Sequence, residues 1–190
     1  MRDLRQMRSI PSQFQTRMEG EEIYIEGYFA VFGGVYELWE GATETISTGA
    51  FSETLGRDIR ALIDHESRLV LGRTLAGTLE LREDETGLWG RIHINQNDQD
   101  AMNLYERVRR GDVNQCSFGF DILDEETKTL EDGNIQWIIH KVRLYEVSVV
   151  TFPAYEDTSV IARKRDYEDI KKKKTEIWRD TMRKKLKELK

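Results

Sequence analysis

The chain has 190 residues, 38% hydrophobic and 34% charged, with a net charge of −6, which suits one well-buried domain with some length left over. No run approaches the roughly 18 apolar residues of a membrane span, and the start (Met1-Arg2-Asp3-Leu4-Arg5-Gln6-Met7-Arg8) has no apolar signal-peptide core. With Cys116 as the only cysteine and three scattered histidines, intrachain disulfides and four-thiolate metal sites are excluded, metal-ligand spacing is lacking, and an intracellular setting is the default.

The charge is split. Residues 163–190 carry 13 Lys/Arg against 6 Asp/Glu, about +7, and the remainder about −13. Such a tail meets an acidic partner or is separable from the body; the plainer reading is a solvated charged helix.

Residues 1–20 are polar, carry Pro11 and read as an irregular or extended arm. Residues 22–32 alternate (Ile23, Ile25, Phe29, Val31) and read as the first strand. Residues 33–48 read as loop, and 49–55 as a short helix with Phe51 and Leu55 at i, i+4. Residues 59–65 read as a buried strand ending on Asp64-His65-Glu66. Strands are expected at 69–81 and 88–94, joined by a loop ending in Gly87. Asn97 or Asp98 caps a helix to about Arg110, with Ala101, Tyr105 and Val108 on one stripe and Gly111 as its stop. A second hairpin pairs 115–123 with 135–150 across Asp132-Gly133, Pro153 breaks the chain, 158–162 reads as a last short strand, and 167–190 as helix. The fold class is mostly β (α+β): an antiparallel sheet of about seven strands with a barrel-like core and two or three helices.

Within 115–122, Cys116, Phe118, Phe120 and Ile122 point one way, and Gln115, Ser117, Gly119 and Asp121 the other. Ser117 is therefore a small hydroxyl where a strand core has no use for one. Serine becomes a nucleophile when an imidazole takes its proton and a third group orients that imidazole. His65 is the best-placed base, at the end of Ile59, Ala61, Leu62, Ile63, although an ordinary turn histidine would read the same way. His93, between two isoleucines, reads as a solvated strand face, and His140 is a minor candidate. Glu146 stands out in the apolar strand Leu144-Tyr145-Glu146-Val147-Ser148-Val149-Val150. Burying an unpaired carboxylate is costly, so it should meet either an imidazolium or an arginine such as Arg73 or Arg143. His140 and Glu146 share parity but lie roughly 20 Å apart along a strand, so only one belongs with Ser117. The turn 151–155 is a candidate source of oxyanion-binding amides. Cys116 reads as core filler.

The blocks Gly27-Tyr28-Phe29-Ala30-Val31-Phe32, Gly49-Ala50-Phe51, Asp64-His65 and Leu71-Gly72-Arg73-Thr74 come first. Cys116-Ser117-Phe118-Gly119-Phe120 and Leu144 through Tyr155 follow. In this order and combination the chain resembles the prohead maturation proteases of tailed bacteriophages. The resemblance implies a serine endopeptidase with the herpesvirus-assemblin fold, a closed antiparallel β-barrel ringed by helices, and no metal or cofactor. It puts the base on His65 and the nucleophile on Ser117. The herpesvirus relatives use a second histidine as third member; here the matching block offers Glu146, with His140 upstream. It divides the chain into an arm (1–20), a protease domain (21–163) and a basic tail (164–190).

The resemblance also implies location and partners: the host cytoplasm, inside the assembling prohead, with the major capsid protein and its scaffolding segment, or delta domain, as substrate and self-cleavage alongside. Dimerisation, on which herpesvirus relatives depend, makes a homodimer a question for this chain. The alternatives are a non-enzymatic capsid assembly or scaffolding protein and a nucleic-acid-binding module. The acidic body and the lack of aromatics interleaved with basic residues stand against nucleic acid.

Overall fold

Strands form wherever the apolar period of two is present, and they also form where buried charge hides it. The computed structural model describes residues 6–11, 14–152 and 157–188. The chain forms two units, Met1–Tyr155 and Glu156–Lys190.

The first unit is built on two sheets. In chain order the strands are β1 (Gln6–Pro11), β2 (Gln15–Glu19), β3 (Glu22–Val31), β4 (Tyr36–Trp39), β5 (Ala42–Ile46), β6 (Arg60–Ile63), β7 (Glu66–Arg73), β8 (Leu79–Glu83), β9 (Gly87–His93), β10 (Gln115–Thr129) and β11 (Ile135–Val150). One sheet runs β1-β10-β11-β5-β4, with β6 also on β11 and β7 on β6; the other runs β2-β3-β9-β8. The hairpin of β10 and β11 is the spine of the larger sheet. β5 and β6 share one side of β11 at opposite ends, both parallel to it. The larger sheet therefore branches there and does not curve round to meet β1. Among the described residues both sheets are open, which corrects the expectation of a closed antiparallel barrel of about seven strands.

The core lies between the sheets. Cys116, Phe118 and Phe120 of β10 have no exposure, and neither do Ile25, Phe29 and Ile92 of the other sheet. Phe118 stacks on Phe120 at 5.0 Å and meets Phe51 edge-on at 5.7 Å. The Cys116 thiol donates to the carbonyls of Tyr28 and Phe29 at 3.3 and 3.4 Å. It is a core residue that joins β10 to β3.

Helix α1 (Gln99–Arg110) starts and stops as its sequence requires. The Asp98 carboxylate accepts from the Asp100 and Ala101 amides, and Gly111 closes the helix at φ 84°. Other local expectations are corrected. Residues 33–48 hold β4 and β5, because Ala42, Glu44 and Ile46 alternate inward and the buried member is a glutamate. Residues 49–55 form successive turns instead of a helix: their backbone bonds span three residues, as from the Thr54 amide to the Phe51 carbonyl. The stretch read as one strand over 69–81 is broken between β7 and β8 by a 3₁₀ turn (Thr74–Ala76) that ends on Gly77 at φ 69°. Within the stretch read as an arm, β1 pairs with β10 and β2 with β3.

The second unit is one helix, α2 (Asp157–Glu188). It takes in 158–162, read from sequence as strand; the β-branched pair Val160 and Ile161 is outweighed by the helix formers that follow it. Ile177 and Trp178 are exposed on it. Among the described residues no helix is long and apolar enough to cross a membrane.

Candidate active site

The histidine loop is a two-residue hairpin turn. β6 runs parallel to β11, with Leu62 opposite Ser148 and Ile63 opposite Val149, and β7 returns antiparallel with Glu66 opposite Ile63. Asp64 and His65 between them have φ of 46° and 61°, the positive values that a tight hairpin turn demands. Asp tolerates this region better than most residues, and elsewhere it costs about 1–2 kcal/mol per residue. The Asp64 carboxylate compensates by accepting from the Thr151 amide at 2.7 Å and the Thr151 hydroxyl at 3.2 Å, while the Asp64 amide donates to the Val149 carbonyl. The turn is thereby clamped to the end of β11.

A bulge aims Glu146 at that turn. Gly119 lies opposite Glu146 but Phe120 opposite Leu144, which leaves Tyr145 unpaired in the ladder and swings the strand locally. The Glu146 carboxylate, 4% exposed, lies 2.8 Å from His65 Nδ1 and accepts from the Ser148 hydroxyl at 2.6 Å. An ionised carboxylate only accepts, so Nδ1 is the donor of this pair and Nε2 is the ring nitrogen left outside it. This partner is the imidazole anticipated for a buried glutamate. Arg73 is instead bidentate to Asp58, and Tyr145 holds the Arg143 guanidinium above its ordinary value.

Ser117 lies directly across the ladder from Ser148 and has no exposed surface. Its Oγ and the Nε2 of His65 are both buried without a hydrogen-bond partner. Unsatisfied buried polar atoms are rare in folded proteins and need a reason. Here one is a potential nucleophile and the other a potential base, on neighbouring parts of one sheet.

The remaining candidates lie elsewhere. His93 is half-exposed, pairs with Glu22 and stacks on Tyr24. His140, 38% exposed, meets Ser47 at 3.1 Å and Glu126 at 3.6 Å. The Thr151 amide is taken by Asp64, which removes it from the expected oxyanion donors; residues 153–155 of that turn lie outside the described residues. Among the described residues no cluster of three His, Cys, Asp or Glu could hold a metal. The sequence reading missed two participants. Ser148 shares parity with Glu146, so a period-of-two reading of β11 would have found it, and Asp64 is betrayed only by its contact with Thr151.

A buried serine on a strand, a histidine at a strand-end turn and a carboxylate behind it stand together on an open, mostly β scaffold. The family model of the caudovirus prohead serine protease matches residues 12–173. The chain belongs to that family. It is 29% identical over 150 residues to the prohead protease of Enterobacteria phage HK97, covering 77% of this chain and 62% of that one. It is 30% identical over 120 residues to the prohead protease of Escherichia phage T5, covering 61% and 53%. The chain thus spans less than two thirds of these relatives' own length. Among solved structures, that of the bacteriophage T4 capsid assembly protease is similar, with a TM-score of 0.50 at 10% identity, covering 77% of this chain and 96% of that one. At such identity the likeness concerns the fold.

Proposed function

We propose that the chain is a serine endopeptidase of prohead maturation, with Ser117 as nucleophile, His65 as general base and Glu146 as the group that orients the imidazole. The observation that carries the proposal is the His65–Glu146 hydrogen bond, which fixes Nδ1 and leaves Nε2, like the Ser117 Oγ of the same sheet, buried without a partner. His65 Nε2 takes the hydroxyl proton as Oγ attacks the peptide carbonyl carbon. The imidazolium, held against Glu146, then gives that proton to the leaving amine, and an acyl-serine ester remains. Water enters, His65 takes one of its protons, hydroxide attacks the ester, and that proton returns to Oγ as the carboxylic acid product leaves and gives its own proton to solvent. Every proton is accounted for within these residues and water.

The prohead-protease family and relatives support a substrate among the proteins of the assembling head; on this reading it is the scaffolding segment, or delta domain, of the major capsid protein, and the chain itself. The reaction takes place inside the assembling head in the host cell. The basic tail, 164–190, suits a packaging or self-cleaved segment, with 21–163 as the protease domain. The test is labelling with a fluorophosphonate, which reacts only with an activated serine. Peptide mapping should find the label on Ser117, and His65→Ala should abolish it. A label elsewhere, or one indifferent to His65→Ala, refutes the assignment. A purely structural assembly protein would show no labelling at all.

A further inference from the structure

Strand β1 has an unusual position. It lies antiparallel along β10 in unbroken register, from Gln6 opposite Phe120 to Pro11 opposite Gln115, with Ser9 opposite Ser117. Among the described residues it is a terminal strand of its sheet, paired with β10 alone. β11 holds the other side of β10. The main-chain groups beside Ser117 that another extended polypeptide could use are therefore the ones β1 occupies.

The strand is latched through the core. Arg8 lies opposite Phe118, and its guanidinium is bidentate to Glu44 of β5 at 2.5 and 2.9 Å. Side-chain exposure in this pair is 7% and 0%. A buried ion pair adds little net stability over an apolar pair, but one register of the strand satisfies it and others strand the charges. It therefore specifies where β1 sits. Meanwhile Ser117 has no exposed surface, so no peptide carbonyl can reach its Oγ in this form.

Extended polypeptides are recognised by adding a strand to a sheet edge, with main-chain hydrogen bonds supplying affinity. On the serine-protease reading above, the scissile chain must lie beside Ser117. We infer that β1 is an intramolecular occupant of the substrate-strand site, an autoinhibitory strap that an extended polypeptide displaces in order to pair antiparallel with β10.

A lock and a release test this on the full chain. Ile10 lies opposite Cys116. Opposed residues of an antiparallel pair have Cα atoms about 4.5–5.5 Å apart, inside the disulfide range of about 4.4–6.8 Å. Ile10→Cys, once oxidised, ties β1 to β10. Labelling of Ser117 by a fluorophosphonate should then slow at least about tenfold and recover on reduction, because the competent fraction sets the apparent reactivity. The double variant Arg8→Met/Glu44→Gln removes both buried charges together. Its labelling should speed up at least about tenfold, with faster hydrogen exchange at 6–11 and unchanged exchange in β10 and β11. A disulfide that merely distorted the site could not produce the second result. Equal labelling of oxidised and reduced Ile10→Cys, or a folded release variant labelled no faster than the parent, overturns the strap. Absence of Ser117 labelling in both parent and release variant overturns the protease reading on which it rests.

Discussion

Ser148 donates a 2.6 Å hydrogen bond to the Glu146 carboxylate oxygen that His65 leaves free. The carboxylate is thereby held by both oxygens, and the imidazole by a fixed partner. Hydrogen bonds to charged groups contribute about 1.5–3 kcal/mol, so Ser148→Ala should lower kcat for Ser117-dependent cleavage about 10- to 100-fold with little change in KM. Ser148→Thr keeps the hydroxyl and should retain most of the rate. Equal turnover in Ser148→Ala and parent would show that the second bond is idle.

Glu146 and His140 make opposite expectations. Glu146→Gln keeps the shape but no longer enforces the Nδ1–H tautomer, and comparable triad lesions cost about 10⁴-fold in kcat. His140 is 38% exposed and bonded to Ser47 and Glu126, so His140→Ala should change turnover less than about twofold. Steady-state cleavage by the two variants checks this, and the reverse order would move the third role to His140.

Much of this was legible in the sequence, and the failures share a cause. β3, β10 and β11 announce themselves by alternation, and α1 by Asp98 and Gly111. The Ser117 face of β10 is recognisable because a hydroxyl there has no packing purpose. β5 was hidden because its buried centre is Glu44, whose partner Arg8 comes from a stretch that reads as an arm. Apolar periodicity cannot register a strand stabilised by a cross-core ion pair. The bulge at Tyr145 and the clamp of Asp64 on Thr151 depend on neighbours remote in sequence, and no local pattern encodes them.

Asp64 should be a positioning residue. Asp64→Asn keeps tolerance of positive φ and one acceptor for Thr151; Asp64→Gly keeps only the backbone freedom; Asp64→Ala keeps neither. Thermal unfolding should rank the losses Asn, then Gly, then Ala, the last at about 1–3 kcal/mol. In each variant kcat should fall more than KM changes, because His65 is misplaced and substrate contacts are not. A fall in Tm with kcat intact would separate the clamp from catalysis.

The same hairpin is pinned at its open end by Arg73, bidentate to Asp58 at 2.6 and 2.7 Å. The Arg73 hydrogen bonds hold the Asp58 carboxyl below its ordinary value of 3.8. A carboxyl whose pKa is lowered by folding stabilises the native state above its unfolded pKa, and that contribution disappears as pH falls through the depressed value. Melting curves from neutral into the acid range should therefore show Asp58→Asn less stable than the parent at neutral pH, with the gap closing in acid. A gap independent of pH would assign the loss to packing.

The central claim is that Ser117 cuts peptide bonds, and intact-mass spectrometry tests it most directly. The chain and its Ser117→Ala variant are each produced alone and together with the matching coat protein. The expected result is a set of fragments of coat protein and chain that appear with Ser117 and are missing with Ser117→Ala. Fragments that persist in Ser117→Ala, or coat protein left whole beside the parent chain, would contradict it.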